Sequence, residues 1–250
     1  MNELAQGLIL RQTDFREADV MITVLTRDYG KISFSVRGVR RMTSKNAGSV
    51  IPYTMGEFQF DYKQDRSVFR LKTARTKKFY MHMHQDLKAS AAAAYAAQIA
   101  DEMNLAGSET EHPAEQFGML ETCFDLIESG MDTHTVLALY LSDVMKLFGI
   151  APSADGCAVC GSPRVTSLSV SEGGFLCAEH AAARHLPVLD TADLKRFRLI
   201  AKGGLKHADI VSKAGGAELK DLVILKEILK HHTGIEIRSA AFYERLFVVD

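Results

Sequence analysis

The sequence predicts an α+β chain of more than one domain, with a five-stranded β-barrel first and an α-helical domain after it, the latter interrupted by a small cysteine-rich insertion. Three observations carry this. Apolar and polar residues alternate with period two through residues 1–80, and with a helical period beyond Tyr80. Charge divides at the same point: residues 1–80 hold 15 Lys and Arg against 8 Asp and Glu (+7), and residues 81–250 hold 15 against 23 (−8). The stretch Ala151–Leu186 follows neither pattern and contains Pro152, Pro163, Gly156, Gly161, Gly173, Gly174 and three of the four cysteines. The expected domains are therefore 1–80 and 81–250, with the insertion at about 151–186.

Gly7–Gln12 is a short apolar run, and Val20, Ile22 and Val24 alternate behind it. Ile32, Phe34 and Val36 face one way, with Lys31, Ser33, Ser35 and Arg37 opposite; Tyr29-Gly30 supplies the hairpin turn before them. Phe58, Phe60 and Tyr62 form the next inward set. In the last strand Phe69, Leu71 and Thr73 alternate with Arg70, Lys72 and Ala74. Five short strands without a long helix point to a small barrel of the OB-fold type, an SH3-like barrel being the alternative.

Beyond Tyr80, Lys88–Leu105 is rich in Ala, the best helix former, with Gly107 as a stop. Pro113 suits a first helical position ahead of Phe117, Leu120, Phe124 and Ile127. A helix from His134 carries Val136, Leu137, Tyr140, Leu141 and Val144. Asp190 or Thr191 caps another, and the last strong helix spans about Ala217–His232. The longest apolar run, Ala89–Ala100, falls short of a membrane span, and the N-terminus lacks the pattern of a secretory signal. Four cysteines in 250 residues make no disulfide framework, so a soluble cytoplasmic protein is expected.

The sharpest chemical signal is Cys157-x-x-Cys160, sixteen residues, then Cys177-x-x-His180. Two such pairs can converge on zinc as a closed tetrahedral set of three sulfurs and one nitrogen, which is the pattern of a structural site. His185 is the alternative fourth ligand. Cys123 lies on an apolar helical face and reads as inert core.

The second signal is the basic texture of the barrel. Arg27, Lys31, Arg37, Arg40, Arg41 and Lys45 lie in one stretch, and Arg66, Arg70, Lys72 and Arg75 in another. Such residues attract phosphates through counterion release, so they are the candidate DNA-binding set. Phe15, Tyr29 and Tyr53 lie in loops and are candidates for stacking on bases, whereas the strand phenylalanines read as core. No P-loop, no dinucleotide-binding glycine motif and no nucleophile elbow occurs, and no HExxH or zinc-deaminase pattern accompanies the cysteines. No catalytic residue is therefore assigned.

The segments Gly7–Asp19, Val24–Lys31 and Val36–Arg41 resemble the N-terminal domain of the RecO family of bacterial recombination mediators. Pro52–Phe58 is similar to that family's next strand, Leu147–Pro152 with Glu172–Cys177 to its zinc knuckle, and Gly234–Phe247 to its C-terminal stretch. The resemblance implies a non-enzymatic DNA repair and recombination protein with an OB-fold and a helical domain. It implies binding of single- and double-stranded DNA, annealing of complementary strands, and work with RecR. It further implies that the protein helps RecA displace single-strand-binding protein by contacting that protein's acidic C-terminal tail, within the nucleoid-associated cytoplasm. Arg37, Arg40 and Arg41 match the family's basic motif, and Cys157, Cys160 and Cys177 its zinc ligands; at His180 many relatives carry a fourth Cys. Lys195, Arg196, Arg198 and Lys202 are candidates for the tail contact. The alternative drawn from the residues alone is a zinc-dependent nucleic-acid hydrolase or modifying enzyme.

Overall fold

The computed structural model describes residues 2–39, 44, 46–63, 66–104 and 112–247. Two compact units divide the chain, residues 1–130 and 131–250.

The first unit is built on β1 (Asn2–Asp14), β2 (Val20–Thr26), β3 (Gly30–Val36), β4 (Met55–Asp61) and β5 (Val68–Lys78). They close into a barrel in the order β1-β2-β3-β5-β4, with β3 and β5 parallel and the other pairs antiparallel. This is the five-stranded barrel that the alternation predicts, and the order suits an OB-fold. β1 is longer than the Gly7–Gln12 run because it serves two neighbours. Its first half pairs with β4 (Asn2↔Asp61 through Leu8↔Met55), and its second half pairs with β2 (Gly7↔Thr26 through Asp14↔Val20).

Phe34, Phe58, Phe60 and Phe69 meet in the barrel at centroid distances of 4.9–6.4 Å and are at most 4% exposed. Removing one such ring from a filled core costs ~3–5 kcal/mol. Tyr29 and Tyr62 close one end, with Tyr29 edge-on to Phe60 and its hydroxyl donating to Glu3 at 3.2 Å. Leu8, Leu10 and Leu25 are buried but lie outside this cluster. They belong to strands that contact α2 (Leu87–Met103) and α3 (Pro113–Glu128), which follow a short α1 (Met81–Gln85). Asp86 caps α2 through Ala89 N–H, and the Glu128 carboxylate accepts the N–H groups of His82 and Met83 at the start of α1. Gly107, expected to stop α2, lies outside the described residues.

In β5 the expected alternation holds only to Leu71. Phe60 pairs with Leu71 and Gln59 with Thr73, so Lys72 is an extra residue, a β-bulge. Beyond it the faces exchange. Thr73, expected inward, is exposed and bonds Gln59, while Ala74, expected outward, packs on the barrel core.

The second unit begins with α4 (Thr133–Leu147), capped by Asp132. The insertion follows as a hairpin of β6 (Ser167–Ser169) and β7 (Gly174–Leu176), leading into α5 (Ala178–Ala182). α6 (Thr191–Gly203), α7 (Ala208–Lys213), α8 (Leu219–Thr233) and α9 (Ser239–Arg245) complete it. Asp190, not Thr191, caps α6. The short helices α1, α5, α7 and α9 have too few turns to show a hydrophobic period in sequence. No helix among the described residues is long and apolar enough to cross a membrane.

Candidate nucleic-acid interface and metal centre

The cations of the barrel fall into two sets. Arg11 and Lys31 both reach Asp101 on α2, at 2.7 and 2.9 Å. Arg27 lies over the Phe117 ring and 3.8 Å from Glu121, and Lys78 is 2.6 Å from Asp125, all on α3. Lys31 keeps only 11% of its side-chain exposure. Arg27 and Lys31, candidates for DNA from the sequence, thus face helices within the first unit.

The second set faces outward. Arg37, Arg66, Arg70 and Arg75 are exposed, and their side chains make no hydrogen bond or ion pair with a described residue. Lys63, which opens the second basic stretch of the sequence, is also exposed. Lys72 is exposed as well but bonds Asp61 at 2.6 Å and Asn2 at 3.2 Å. The β-bulge matters here. In an unbroken strand Arg70 and Lys72 would point opposite to Arg75; the extra residue brings all three to the outer face. Arg40, Arg41 and Lys45 lie outside the described residues.

Arg37 sits at the exit of β3. The next residue, Gly38, has φ of +65°, a conformation glycine adopts without the steric penalty of a Cβ. Its N–H is held at 2.8 Å by the Asp19 carboxylate from the loop between β1 and β2. That loop carries Phe15, half exposed, with the Arg16 guanidinium 5.2 Å from its ring centre. Of the loop aromatics, Phe15 is the one left open. Tyr29 belongs to the barrel plug, and Tyr53 packs edge-on against Phe124.

In the second unit, Cys157, Cys160, Cys177 and His180 converge, with one donor atom from each lying within 4.8 Å of the others. Cys157 Sγ is 3.6 Å and Cys177 Sγ 3.2 Å from His180 Nδ1, and Cys160 Sγ is 3.9 Å from Cys177 Sγ. Ligands at ordinary zinc bond lengths on a tetrahedron are separated by about 3.5–3.8 Å, so the donors have the spacing of a metal site. His185 is not in this group.

The fold sets this up locally. The CxxC turn is pinned by Ala158 N–H to Phe175 O at 2.8 Å and by Cys157 N–H to Ser162 O at 2.8 Å. The second pair lies at the β7–α5 junction, so His180 projects from the first turn of α5 back toward Cys177. Gly174 is required beside them, because a Cβ there would meet Ser153 O at 2.4 Å. Arg184, in the turn just after α5, pairs with Glu172 in the hairpin turn at 2.6 Å and donates to the His180 carbonyl. Burial pushes the Cys157 thiol up, yet the N–H groups of Cys177, Cys160 and Val159 outweigh it and bring it down to about 6. The backbone N–H of His180 lowers the Cys177 thiol. Thiolate is the ligand form, so the backbone prepares these sulfurs for a cation. Cys123 is fully buried in α3, and burial pushes its thiol up.

The cations of α6 are engaged elsewhere. Arg196 is bound by Asp193, Glu218 and Asp221 at 2.6–2.9 Å. Arg198 donates to Ala154 O and lies over Phe175, and Lys202 pairs with Asp155. Lys195 remains exposed.

Residues 1–80 match the family described as Recombination protein O N terminal, and residues 84–241 the one described as Recombination protein O C terminal. The chain is similar to the DNA repair protein RecO of Lactiplantibacillus plantarum, 29% identical over 96% of this chain and 92% of that one. It is likewise similar to the DNA repair protein RecO of Anaeromyxobacter sp. strain K (28%, covering 96% and 95%) and of Bacillus cereus (25%, covering 98% of each). Matched from its first strand to its last helix, the chain belongs to the recombination protein O family of DNA repair and recombination proteins.

Proposed function

We propose that this protein is a non-enzymatic mediator of recombinational repair whose barrel binds single- and double-stranded DNA through the sugar–phosphate backbone. The observation that carries the reading is the outward set Arg37, Arg66, Arg70 and Arg75, exposed and without a side-chain partner among the described residues. Unpaired guanidinium groups on one domain are available to replace the counterions of a phosphate chain. Arg40, Arg41 and Lys45 extend that set in sequence. A protein that holds backbones without reading bases can bring complementary strands together, which supports an annealing role. Family membership supports the remaining steps: action with RecR, contact with the acidic C-terminal tail of single-strand-binding protein, and assistance to RecA in replacing it, in the nucleoid-associated cytoplasm.

Zinc is the metal that best fits three sulfurs and one imidazole nitrogen. Bound by Cys157, Cys160, Cys177 and His180, it would cross-link the CxxC turn to the β7–α5 junction and contribute folding energy. Four protein donors leave no open position for a water nucleophile, which favours a structural role over the hydrolase alternative.

The test is anisotropy of a labelled, unstructured single-stranded oligonucleotide, titrated at several salt concentrations. Binding that falls steeply with salt and differs little between unrelated sequences is expected. Charge reversal at Arg37, Arg40 and Arg41 is expected to flatten the log–log slope by ~0.7 per lost phosphate contact on single strands. An unchanged slope in the triple variant overturns this site assignment.

A further inference from the structure

A cleft of about 490 Å³ opens where β4 hands over to β5. Among the described residues, its wall holds four cations, Lys63, Arg66, Arg70 and Lys72, against one carboxylate, Asp61. Asp61 is paired with Lys72 at 2.6 Å, so these two charges offset one another and the net positive charge of the wall comes from Lys63, Arg66 and Arg70. Among the cations stands one exposed apolar side chain, Val68, 48% accessible and on the same outer face as Arg70 and Lys72. Phe69 and Leu71 also line the cleft, though their side chains belong to the barrel core. A surface that met only phosphates would need the cations and not the apolar group. A nucleotide needs both: its phosphate seeks guanidinium groups, and the face of its base seeks an apolar surface. The volume falls within the range that encloses a small ligand.

We propose that this cleft seats one unpaired nucleotide of a single strand, with its phosphate on Arg66 and Arg70 and its base against Val68. From there the strand runs along the outer face of β5 toward Arg75. The proposal rests on the DNA-binding reading and adds a strand path and a preference to it. A base in duplex has both faces stacked and its edge paired, so it cannot enter. The β-bulge at Lys72 gives the path its direction, because it continues the outward cations past the cleft on the same face.

The experiment compares two labelled oligomers of equal length, oligothymidylate and a fully abasic strand, on the full chain, in wild type and in Val68→Ser and Arg70→Glu variants. Val68 and Arg70 lie outside the barrel core, so neither substitution removes a core contact. Wild type is expected to bind oligothymidylate about 5-fold tighter than the abasic strand, the order expected from covering part of one valine side chain. Val68→Ser is expected to close most of that gap, and Arg70→Glu to weaken both oligomers together. Equal affinity of wild type for the two strands overturns the proposal, as does a gap that Val68→Ser leaves intact; weakening by Arg70→Glu would then still uphold backbone binding by the barrel. Failure of wild type to bind either strand at low salt overturns the functional reading along with it.

Discussion

The Asp19 carboxylate accepts the backbone N–H of Gly38 at 2.8 Å and so ties the loop between β1 and β2 to the exit of β3. Arg37 is the residue before that anchor. The bond therefore fixes the backbone from which the exposed Arg37 side chain, proposed above to meet phosphate, extends. Asp19→Ala sets two effects against each other. Loss of a negative charge near the basic loop would strengthen DNA binding by itself. Loss of the anchor makes binding order a freer loop, which costs ~0.5–1.5 kcal/mol per ordered side chain, or roughly 2- to 10-fold in affinity. We expect the second effect to win in Asp19→Ala, whereas Asp19→Asn, which loses the charge but keeps an oxygen to accept the Gly38 N–H, is expected to bind at least as tightly as wild type. Tighter binding by Asp19→Ala in anisotropy titrations would show that the anchor has no part in the interface.

The division of the barrel's cations predicts opposite phenotypes for residues of the same type. Lys31→Met removes the more buried of the two cations that reach Asp101, leaving Arg11 as the other, and is expected to lower stability by ~1–3 kcal/mol, read from urea unfolding, with DNA affinity little changed. Arg75→Glu is expected to leave the unfolding midpoint in place and to weaken DNA binding with a flatter salt slope. If Lys31→Met instead lost DNA binding at full stability, the assignment of Lys31 to the helix contact would fall.

The same division shows what could be read from the sequence. The barrel strands and the candidate metal-holding residues are local patterns: alternation lies within seven residues, and the members of each pair are three residues apart. The partners of Lys31 and Arg27 lie 70 and 94 positions away, on helices whose placement no period reveals. Counting cations therefore could not separate those that face outward from those already engaged by helices. The bulge in β5 was hidden for a different reason. A register shift depends on the neighbouring strand, and a single sequence shows only the residues before and after it. Thr73 and Ala74 exchange faces for that reason alone. Arg196 is a third case, basic in sequence but enclosed by carboxylates from α6 and from the start of α8.

That enclosure carries a stability prediction with a sign. Asp221 is 2% exposed and its oxygens meet Arg196 at 2.6 and 3.3 Å, so Arg196→Ala leaves a buried carboxylate without its cation. The expected loss is ~3 kcal/mol. Lys220 and Arg196 hold the Asp193 carboxyl below its ordinary value. A carboxyl lowered in the folded state adds stability that is complete above its unfolded value, about pH 4, and vanishes as pH falls through the folded value. The difference in melting temperature between wild type and Asp193→Asn is therefore expected to be constant near neutrality and to shrink below about pH 4. A difference that persists at pH 2 would mean that packing, not charge, is what the substitution removes.

Metal removal tests the second unit in the same terms. The cluster Cys157, Leu176, Cys177 and Ala181, with Leu186 against it, is a very small core, and two hairpin strands of three residues add little to it. Such a region cannot offset its own conformational entropy by burial, so the cross-link supplied by a metal is expected to hold it. Chelation should open residues 151–186 to proteolysis and hydrogen exchange while the barrel keeps its protection. Cys160→Ser should mimic chelation and make it redundant, since three donors no longer close the tetrahedron. His180→Cys should retain the metal, because a thiolate replaces the imidazole in a closed site without changing the number of donors. Metal content by elemental analysis, read beside the proteolysis pattern, separates these outcomes. A chelated protein with residues 151–186 as protected as before would show that the hairpin and α5 hold their shape unaided.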